Sequence, residues 1–168
     1  MHLSRSETLD TGFTVSERGQ ETTPCVCTTV RRADRALTRL YDEALQPSGL
    51  LTTQFALLSV LARAGEPMLH SALAEAQLMS PATLSRNLKP LQRDGLVRIA
   101  PGTDRRTRYV ELTREGYAAL ERARPLWLAV QAAVRDALGT ERTDRLLREL
   151  RDLVGDLRRH EMESANAS

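Results

Sequence analysis

The sequence is poor in aromatic residues and contains no long apolar run. Aromatic side chains make up 4% of the 168 residues, whereas hydrophobic residues as a group reach 41%, which favours a helical protein rich in alanine and leucine. No apolar stretch approaches the roughly 20 residues that span a bilayer, and the N-terminus lacks the apolar centre of a signal peptide. We therefore expect one cytoplasmic domain that does not enter membranes.

Catalytic and metal-binding patterns are also missing. The chain has two cysteines, Cys25 and Cys27, which supply only half of a tetrahedral metal site. None of the histidines lies at ligand spacing from that pair, and two cysteines do not indicate a disulfide framework. There is no glycine-rich phosphate loop and no nucleophile motif. The sequence thus predicts no metal, no cofactor and no enzymatic activity.

Residues 80–94 predict a helix with one apolar and one polar face. Ser80 is suited to capping its start, Pro81 to its first turn and Gly95 to the left-handed residue after its end. Three leucines repeat on one face and are expected to be buried: Leu84, Leu88 and Leu91. The remaining faces carry short polar or basic side chains of the kind that bind phosphates or read base edges: Ser80, Thr83, Ser85, Arg86, Asn87 and Lys89.

Two short alternating segments follow this helix and predict a β-hairpin. Residues 96–100 and 107–112 read as strands, and residues 101–106 read as a charged hairpin tip. Residues 80–110 contain seven basic and two acidic side chains, a net charge of +5, whereas the whole chain is only +2. A solvated polar helix would explain the helix alone, but the basic hairpin and the charge segregation favour a winged helix-turn-helix that binds DNA.

The remaining chain predicts long helices on both sides of this unit. Residues 1–23 read as a flexible tail, and an apolar stripe runs from about Cys27 to Ala44. Thr53 is expected to cap a second helix, and a short third helix is expected at about residues 70–77. Thr113 should cap a helix that runs through Leu138. A last helix carries a heptad-like leucine stripe that must be covered either by the same chain or by a second subunit.

The chain resembles the MarR family of bacterial regulators from about residue 27 to residue 160. The resemblance rests on Leu84-Ser-Arg-Asn-Leu88, Leu91…Gly95-Leu-Val97, Asp104-Arg-Arg106 and Val110-Glu-Leu-Thr113…Gly116, with Gly49-Leu-Leu-Thr-Thr-Gln-Phe55 and Leu73-Ala74 upstream. It implies a mainly α fold of the α+β type, a winged helix-turn-helix with long N- and C-terminal dimerisation helices. Residues 51–112 would bind DNA, residues 24–50 and 113–160 would dimerise, and residues 161–168 would be frayed. Pro90 departs from the family pattern and should bend the recognition helix.

The resemblance also implies a function and roles for particular residues. The chain would be a homodimer that binds double-stranded DNA at a pseudo-palindromic operator, most simply as a repressor. Ser85, Arg86 and Asn87 would lie in the major groove. Arg105 and Arg106 would lie on the wing, with Arg106 reaching the minor groove and Asp104 orienting an arginine. A helical dimer that does not bind DNA would leave the wing arginines unexplained.

Two mechanisms of release from DNA remain open in the sequence. Thiol-sensing relatives carry a cysteine at the position of Cys27, with Tyr41 at the matching spacing. Arg31, one turn later, would stabilise a thiolate there, and Cys25 lies close by. An inert Cys27 that fills space under the dimer helices is the simpler alternative. The other mechanism is a small aromatic or phenolic effector in a cleft with candidate residues Arg31, Arg35, Phe55, His70 and Trp127.

Overall fold

The computed structural model describes residues 25–102, 104 and 107–166, and within them the chain forms six helices and a three-stranded sheet. The helices are α1 (Val26–Leu45), α2 (Thr52–Ala64), α3 (His70–Ala76), α4 (Pro81–Arg93), α5 (Arg114–Leu138) and α6 (Thr140–Asn166). The strands are β1 (Met68–Leu69), β2 (Val97–Pro101) and β3 (Arg108–Leu112), and a 3₁₀ turn, Gln46–Ser48, follows α1. The predicted fold class, mainly helical with a winged helix-turn-helix, is confirmed. The predicted tail, residues 1–23, lies outside the described residues.

The sheet is antiparallel, with β3 between β1 and β2. β2 and β3 form the predicted hairpin, with Val97 opposite Leu112. β1 adds Met68 opposite Val110 on the other edge of β3. The strand β1 was not predicted from the sequence, because a two-residue strand is too short to show alternation. Its effect is to fix the start of α3 against the wing.

One apolar core holds the helix-turn-helix and the wing together. The three predicted leucines of α4, Leu84, Leu88 and Leu91, are at most 1% exposed. They pack with buried side chains of α2, α3, α5 and the sheet. Each fully buried leucine stabilises the fold by about 1.5–3 kcal/mol relative to an exposed one. This burial fixes which face of α4 remains available to solvent.

The start of α2 differs from the prediction. Thr53 does not cap the helix, which already begins at Thr52 with Leu51 before it. The carboxylate of Asp42 in α1 accepts a 2.6 Å hydrogen bond from the Thr52 N–H, and the Gln54 side chain accepts from the Leu51 N–H at 2.9 Å. The Asp42 carboxylate, ten residues upstream of Thr52, therefore accepts a hydrogen bond from an N–H group at the helix start, as the Thr53 hydroxyl was predicted to do.

The long C-terminal helices begin as predicted. Thr113 caps α5 by accepting from the Gly116 N–H at 3.0 Å, and Gly139, with a φ of +79°, separates α5 from α6. The helix α6 continues to Asn166, so the prediction of frayed residues from 161 onward is wrong for residues 161–166. Pro90 and Pro125 lie inside α4 and α5, which continue past them. In the described part of the chain, no helix is both long and apolar enough to cross a membrane.

Candidate nucleic-acid interface

The polar face of α4 is held at its start by a capping network. The Ser80 hydroxyl accepts from the Thr83 N–H at 3.2 Å and donates to the Thr83 hydroxyl at 2.9 Å. The Arg86 guanidinium in turn donates to the Thr83 hydroxyl at 3.3 Å. These contacts order the first two turns of α4 and lay the Arg86 side chain along the exposed face. Ser80 and Thr83 thus stabilise the start of the helix.

Ser85, Arg86 and Lys89 are exposed on this face, as predicted for side chains that meet DNA. Pro90 has no N–H to donate to the carbonyl of Arg86, so that carbonyl lacks its usual helical partner. The helix nevertheless runs through to Arg93, where the Asp94 N–H donates to the Pro90 carbonyl at 2.9 Å. The proline therefore removes one backbone bond without ending the recognition helix.

Asn87 lies differently from its predicted neighbours. Its side-chain amide is half-buried and donates to the Met79 sulfur at 3.6 Å, so it packs against the turn between α3 and α4. That turn contains Leu78 with a φ of +52°, a left-handed backbone that is unusual for a residue with a Cβ. In this conformation Asn87 stabilises the turn rather than reaching outward from α4.

A groove of about 500 Å³ runs along α4 between α3 and the wing. The polar side chains that line it are His70, Ser71, Ser85, Lys89, Gln92, Thr107 and Arg108. His70, the first residue of α3, lies with its Nε2 3.1 Å from the Ser85 Oγ. His70, which was predicted to lie at the ligand cleft, thus lies beside Ser85 at the polar face of α4.

Two of the basic side chains counted from the sequence are paired with acids. Arg93 contacts Asp94 at 2.8 Å, a pair that lowers the pKa of the Asp94 carboxyl and raises the pKa of the Arg93 guanidinium. Arg98 on β2 pairs with Glu111 on β3. Among the described residues, no carboxylate pairs with Arg86, Lys89 or Arg108. The positive charge without an acidic partner therefore lies on the exposed face of α4 and, at Lys89 and Arg108, along the groove.

The wing tip is described only in part. The Gly102 N–H donates to the Thr107 carbonyl at 2.9 Å, and both the N–H and the hydroxyl of Thr107 donate to the Asp104 carbonyl at 2.9 Å. These bonds close the hairpin between β2 and β3. Arg105 and Arg106, the predicted wing contacts, lie outside the described residues.

The predicted ligand cleft is not assembled as expected within the chain. Phe55 and Trp127 do meet, stacked with their ring centroids 5.6 Å apart. They line a second pocket of about 500 Å³ with Tyr41, Arg63, Gln77 and Arg124. Arg31 and Arg35 lie on the exposed face of α1 and do not line this pocket. The cations at the pocket are thus Arg63 and Arg124, neither of which was predicted from the sequence.

The two cysteines lie at the start of α1, and both are exposed and free. Cys25 precedes the first turn. Hydrogen bonds with the Thr28 hydroxyl and then with the Thr28 backbone lower the pKa of the Cys25 thiol; burial opposes them, and the Cys27 backbone lowers the pKa further. Tyr41 is fourteen residues beyond Cys27 on one continuous helix, about 21 Å away at 1.5 Å per residue. The two side chains therefore cannot meet within one chain. No cluster of three or more metal-ligating side chains occurs in the described segments.

This architecture is shared with known transcriptional regulators. A sequence profile of the MarR family matches residues 48–107. A helix-turn-helix regulator of Bacillus cereus is 35% identical over 67% of this chain and 74% of its own. The Mycobacterium tuberculosis regulator MosR, crystallised with DNA, is 43% identical, with a TM-score of 0.70 over 80% of this chain and 99% of its own. AbsC of Streptomyces coelicolor is 29% identical, with a TM-score of 0.66 over 80% and 93% of the two chains. The chain therefore belongs to the MarR family of DNA-binding transcriptional regulators.

Proposed function

We propose that this regulator is a homodimeric repressor that binds a pseudo-palindromic operator through α4 and the wing. The observation that carries the proposal is the basic surface of α4 and its groove. Lys89 and Arg108 line the groove, Arg86 is exposed on the same helix, and none of the three has an acidic partner among the described residues. A helix with a buried leucine stripe and an uncompensated basic face fits the major groove, while the wing contacts the adjacent backbone.

Apolar faces on α1 and α6 support a dimer. None of the residues of α6 is buried, although the helix is 27 residues long. Large apolar side chains at least 37% exposed recur along both helices: Val30, Leu37 and Leu40 on α1, and Leu146, Leu147, Leu150, Val154 and Leu157 on α6. Faces of this kind are unstable in water, and a second copy of the same chain offers matching faces with symmetric contacts.

The dimer is tested by introducing a charge into the stripe. We expect Leu150→Asp to convert the dimer to monomer in light scattering after gel filtration, because an aspartate cannot be desolvated in an apolar interface. The control is Arg148→Asp, which introduces the same side chain on the opposite face of α6 and should leave the dimer intact. Equal dissociation by both variants, or a monomeric wild type, would contradict the proposal.

DNA binding is tested with the duplex upstream of the protein's own gene. Wild type should bind it more tightly than a random duplex at physiological salt, and its affinity should fall steeply as salt increases. Arg86→Ala should weaken operator binding by about 1–3 kcal/mol if the arginine contacts a base edge. The control is Arg142→Ala, an exposed arginine near the start of α6. Equal wild-type affinity for both duplexes would overturn the proposal.

The wing arginines are tested separately from the helix. We expect Arg105→Ala and Arg106→Ala each to weaken binding to all sequences and to lower the salt slope by about one, because each loses one phosphate contact. Base preference should be unchanged. A change of preference in the major groove with unchanged affinity would mean that the wing is placed wrongly.

For release from DNA, we favour a small aromatic carboxylate in the Phe55–Trp127 pocket. The stacked rings provide an apolar wall and Arg63 and Arg124 provide positive charge. Arg124 is already paired with Glu121, which leaves Arg63 as the better anchor for a carboxylate. Burial raises the pKa of Tyr41, so its phenol remains a neutral hydrogen-bonding group at the pocket edge.

The single tryptophan of the chain is in this pocket and reports on ligand binding directly. Benzoate and 4-hydroxybenzoate should change Trp127 fluorescence and release operator DNA at the same concentrations, and neutral benzamide should do neither. Arg63→Ala should weaken both effects, while Arg63→Lys should retain part of them. Release of DNA with no change in Trp127 emission would place the effector elsewhere.

Cysteine oxidation is the second candidate for release, and the lowered pKa of Cys25 favours it. A thiolate attacks the terminal oxygen of an organic hydroperoxide, the O–O bond breaks, and the products are a cysteine sulfenic acid and the alcohol. Cys25→Ser and Cys27→Ser should be compared in gel shifts with cumene hydroperoxide. If the double variant still leaves DNA on oxidation, the thiols are structural.

A further inference from the structure

The contact between His70 and Ser85 joins α3 and α4, the two helices of the helix-turn-helix, at the polar face of α4. His70 Nε2 lies 3.1 Å from Ser85 Oγ, across 15 residues of sequence. His70 is half-buried and Ser85 is exposed, and both side chains line the groove beside α4. Ser85 is therefore not a freely rotating surface hydroxyl, because its nearest polar partner is an imidazole.

We propose that His70 is a positioning residue that sets which kind of base Ser85 reads. The inference rests on the proposed function, since it requires α4 to lie in a major groove. His70 does not itself need to contact DNA. It acts through the direction of its hydrogen bond to the Ser85 hydroxyl.

The chemistry follows from the small number of hydrogen-bonding groups involved. A serine hydroxyl has one proton to donate and two lone pairs to accept with. If Nε2 of His70 is unprotonated, it accepts that proton, and Ser85 presents only lone pairs to the groove. Ser85 then favours bases that donate there, the amino groups of adenine or cytosine. If Nε2 carries a proton, it donates to Ser85, whose own proton is free for guanine O6 or thymine O4.

The groove around this contact is basic. Lys89 on α4 and Arg108 on β3 line it, together with the neutral polar side chains of Ser71, Gln92 and Thr107. No carboxylate is among these lining residues, so the imidazole of His70 is the group that sets the hydrogen-bonding sense at Ser85.

The test is a binding scan of all single-base-pair variants of the operator with wild type and with variants of His70 and Ser85. His70→Ala should change the preference at one base pair in each half-site, because Ser85 then loses the partner that fixes the direction of its hydroxyl proton. The expected change is about three- to tenfold, the worth of one neutral hydrogen bond. Preferences at other positions should not move.

Variants separate this role from a structural one. Ser85→Ala should flatten preference at that base pair, and His70→Ala should alter preference at the same base pair only. The double variant should match Ser85→Ala, because His70 acts through Ser85. His70→Gln should restore part of the wild-type preference at that base pair, since an amide can donate to or accept from the Ser85 hydroxyl. Circular dichroism of each variant confirms that it is folded.

Three results would overturn the inference while leaving the proposed function intact. They are a uniform loss of affinity in His70→Ala, an altered preference at a different base pair, and a double variant weaker than Ser85→Ala alone. A wild type that does not prefer its operator over random duplex would instead contradict the proposed function and this inference with it.

Discussion

The hydroxyl of Thr113 donates to the carbonyl of Gly95 at 2.7 Å, across 18 residues of sequence. The same hydroxyl accepts from the Gly116 N–H at 3.0 Å and so caps α5. Gly95 is the left-handed residue that follows the recognition helix, with a φ of +71°. One side chain therefore joins the end of α4 to the start of α5 and closes the base of the wing between them.

Two substitutions of Thr113 distinguish the contribution of its hydroxyl group to stability from that of its methyl group. We expect Thr113→Ala to lower the free energy of unfolding by about 1–2 kcal/mol, the usual cost of losing an N-cap. Thr113→Ser keeps both hydrogen bonds and should stay within about 0.5 kcal/mol of wild type. The measurement is the urea midpoint at unchanged m-value. Equal loss in both variants would show that the methyl group, not the hydroxyl, stabilises this junction.

Gly116 is the second residue at this junction that should not tolerate change. A Cβ at this position would lie 2.1 Å from the Leu96 carbonyl oxygen and 2.5 Å from a methyl carbon of Leu112. The backbone oxygen cannot rotate away, so Gly116→Ala should destabilise the protein by about 1–3 kcal/mol, although alanine is the better helix former. Thermal unfolding of the variant measures this cost.

The matched control for Gly116 is Ala118→Gly, at an exposed position of the same helix. Helix propensity alone predicts a gain for Gly116→Ala and a loss of about 1 kcal/mol for Ala118→Gly. The steric clash at Gly116 reverses the expected sign for Gly116→Ala, whereas Ala118→Gly should still lower the free energy of unfolding. A stabilised Gly116→Ala would mean that α5 can move away from Leu96.

The sequence was sufficient to predict the parts of the fold that local patterns encode. The leucine spacing of α4, the caps Ser80 and Thr113 and the break at Gly139 act over a few residues, and the structure confirms each of them. Thr53 failed as a cap because the competing group, Asp42, comes from a different helix. A hydrogen bond that depends on tertiary packing leaves no local signal.

The residues of the candidate sites show the same limit of prediction from sequence, because contacts that depend on tertiary packing leave no local signal. Phe55 and Trp127 were paired by residue type, and the structure does bring them together. Arg63 and Arg124 were missed because single arginines carry no pattern in an arginine-rich chain. A helical-spacing argument would have found Arg124, which lies three residues before Trp127 on the same helix face. His70 was grouped with the ligand cleft but contacts Ser85 beside α4, because only packing decides which neighbouring helix it meets.

The backbone conformation of Leu78 indicates that a substitution at this position should stabilise the protein. Its φ of +52° places a Cβ in the left-handed region, and its side chain is 60% exposed. Leu78→Gly should relieve this strain, which costs about 1–2 kcal/mol. The flexibility of glycine in the unfolded chain offsets part of that gain, so we expect a net increase of about 0.5–1 kcal/mol in the free energy of unfolding.

The control for Leu78→Gly is Leu78→Ala, which shortens the exposed side chain but keeps the Cβ and hence the strain. For a chain of this size, each kcal/mol added to the free energy of unfolding raises the melting temperature by about 2–4 °C. We expect this increase for Leu78→Gly and not for Leu78→Ala. An equal increase for alanine would trace the gain to loss of the exposed apolar side chain instead.

Cys25 should react as a thiolate at lower pH than an ordinary cysteine. The Thr28 hydroxyl favours the charged form and lowers the pKa of the thiol. The rate of alkylation by iodoacetamide follows the thiolate fraction, so it should reach its plateau at lower pH than for N-acetylcysteine. Peptide mass spectrometry measures Cys25 separately from Cys27. Thr28→Val removes the hydroxyl at nearly constant shape and should move the Cys25 profile to higher pH.

The neighbouring threonine provides the control for this prediction. The Thr29 hydroxyl donates to the Cys25 backbone carbonyl at 3.0 Å rather than to the thiol. Thr29→Val should therefore leave the alkylation profile of Cys25 close to that of wild type. If both valine variants shift the profile equally, fraying of the first turn of α1 controls the reactivity. If neither does, Thr28 does not set the pKa of Cys25, and the case for Cys25 as an oxidation sensor loses its physical basis.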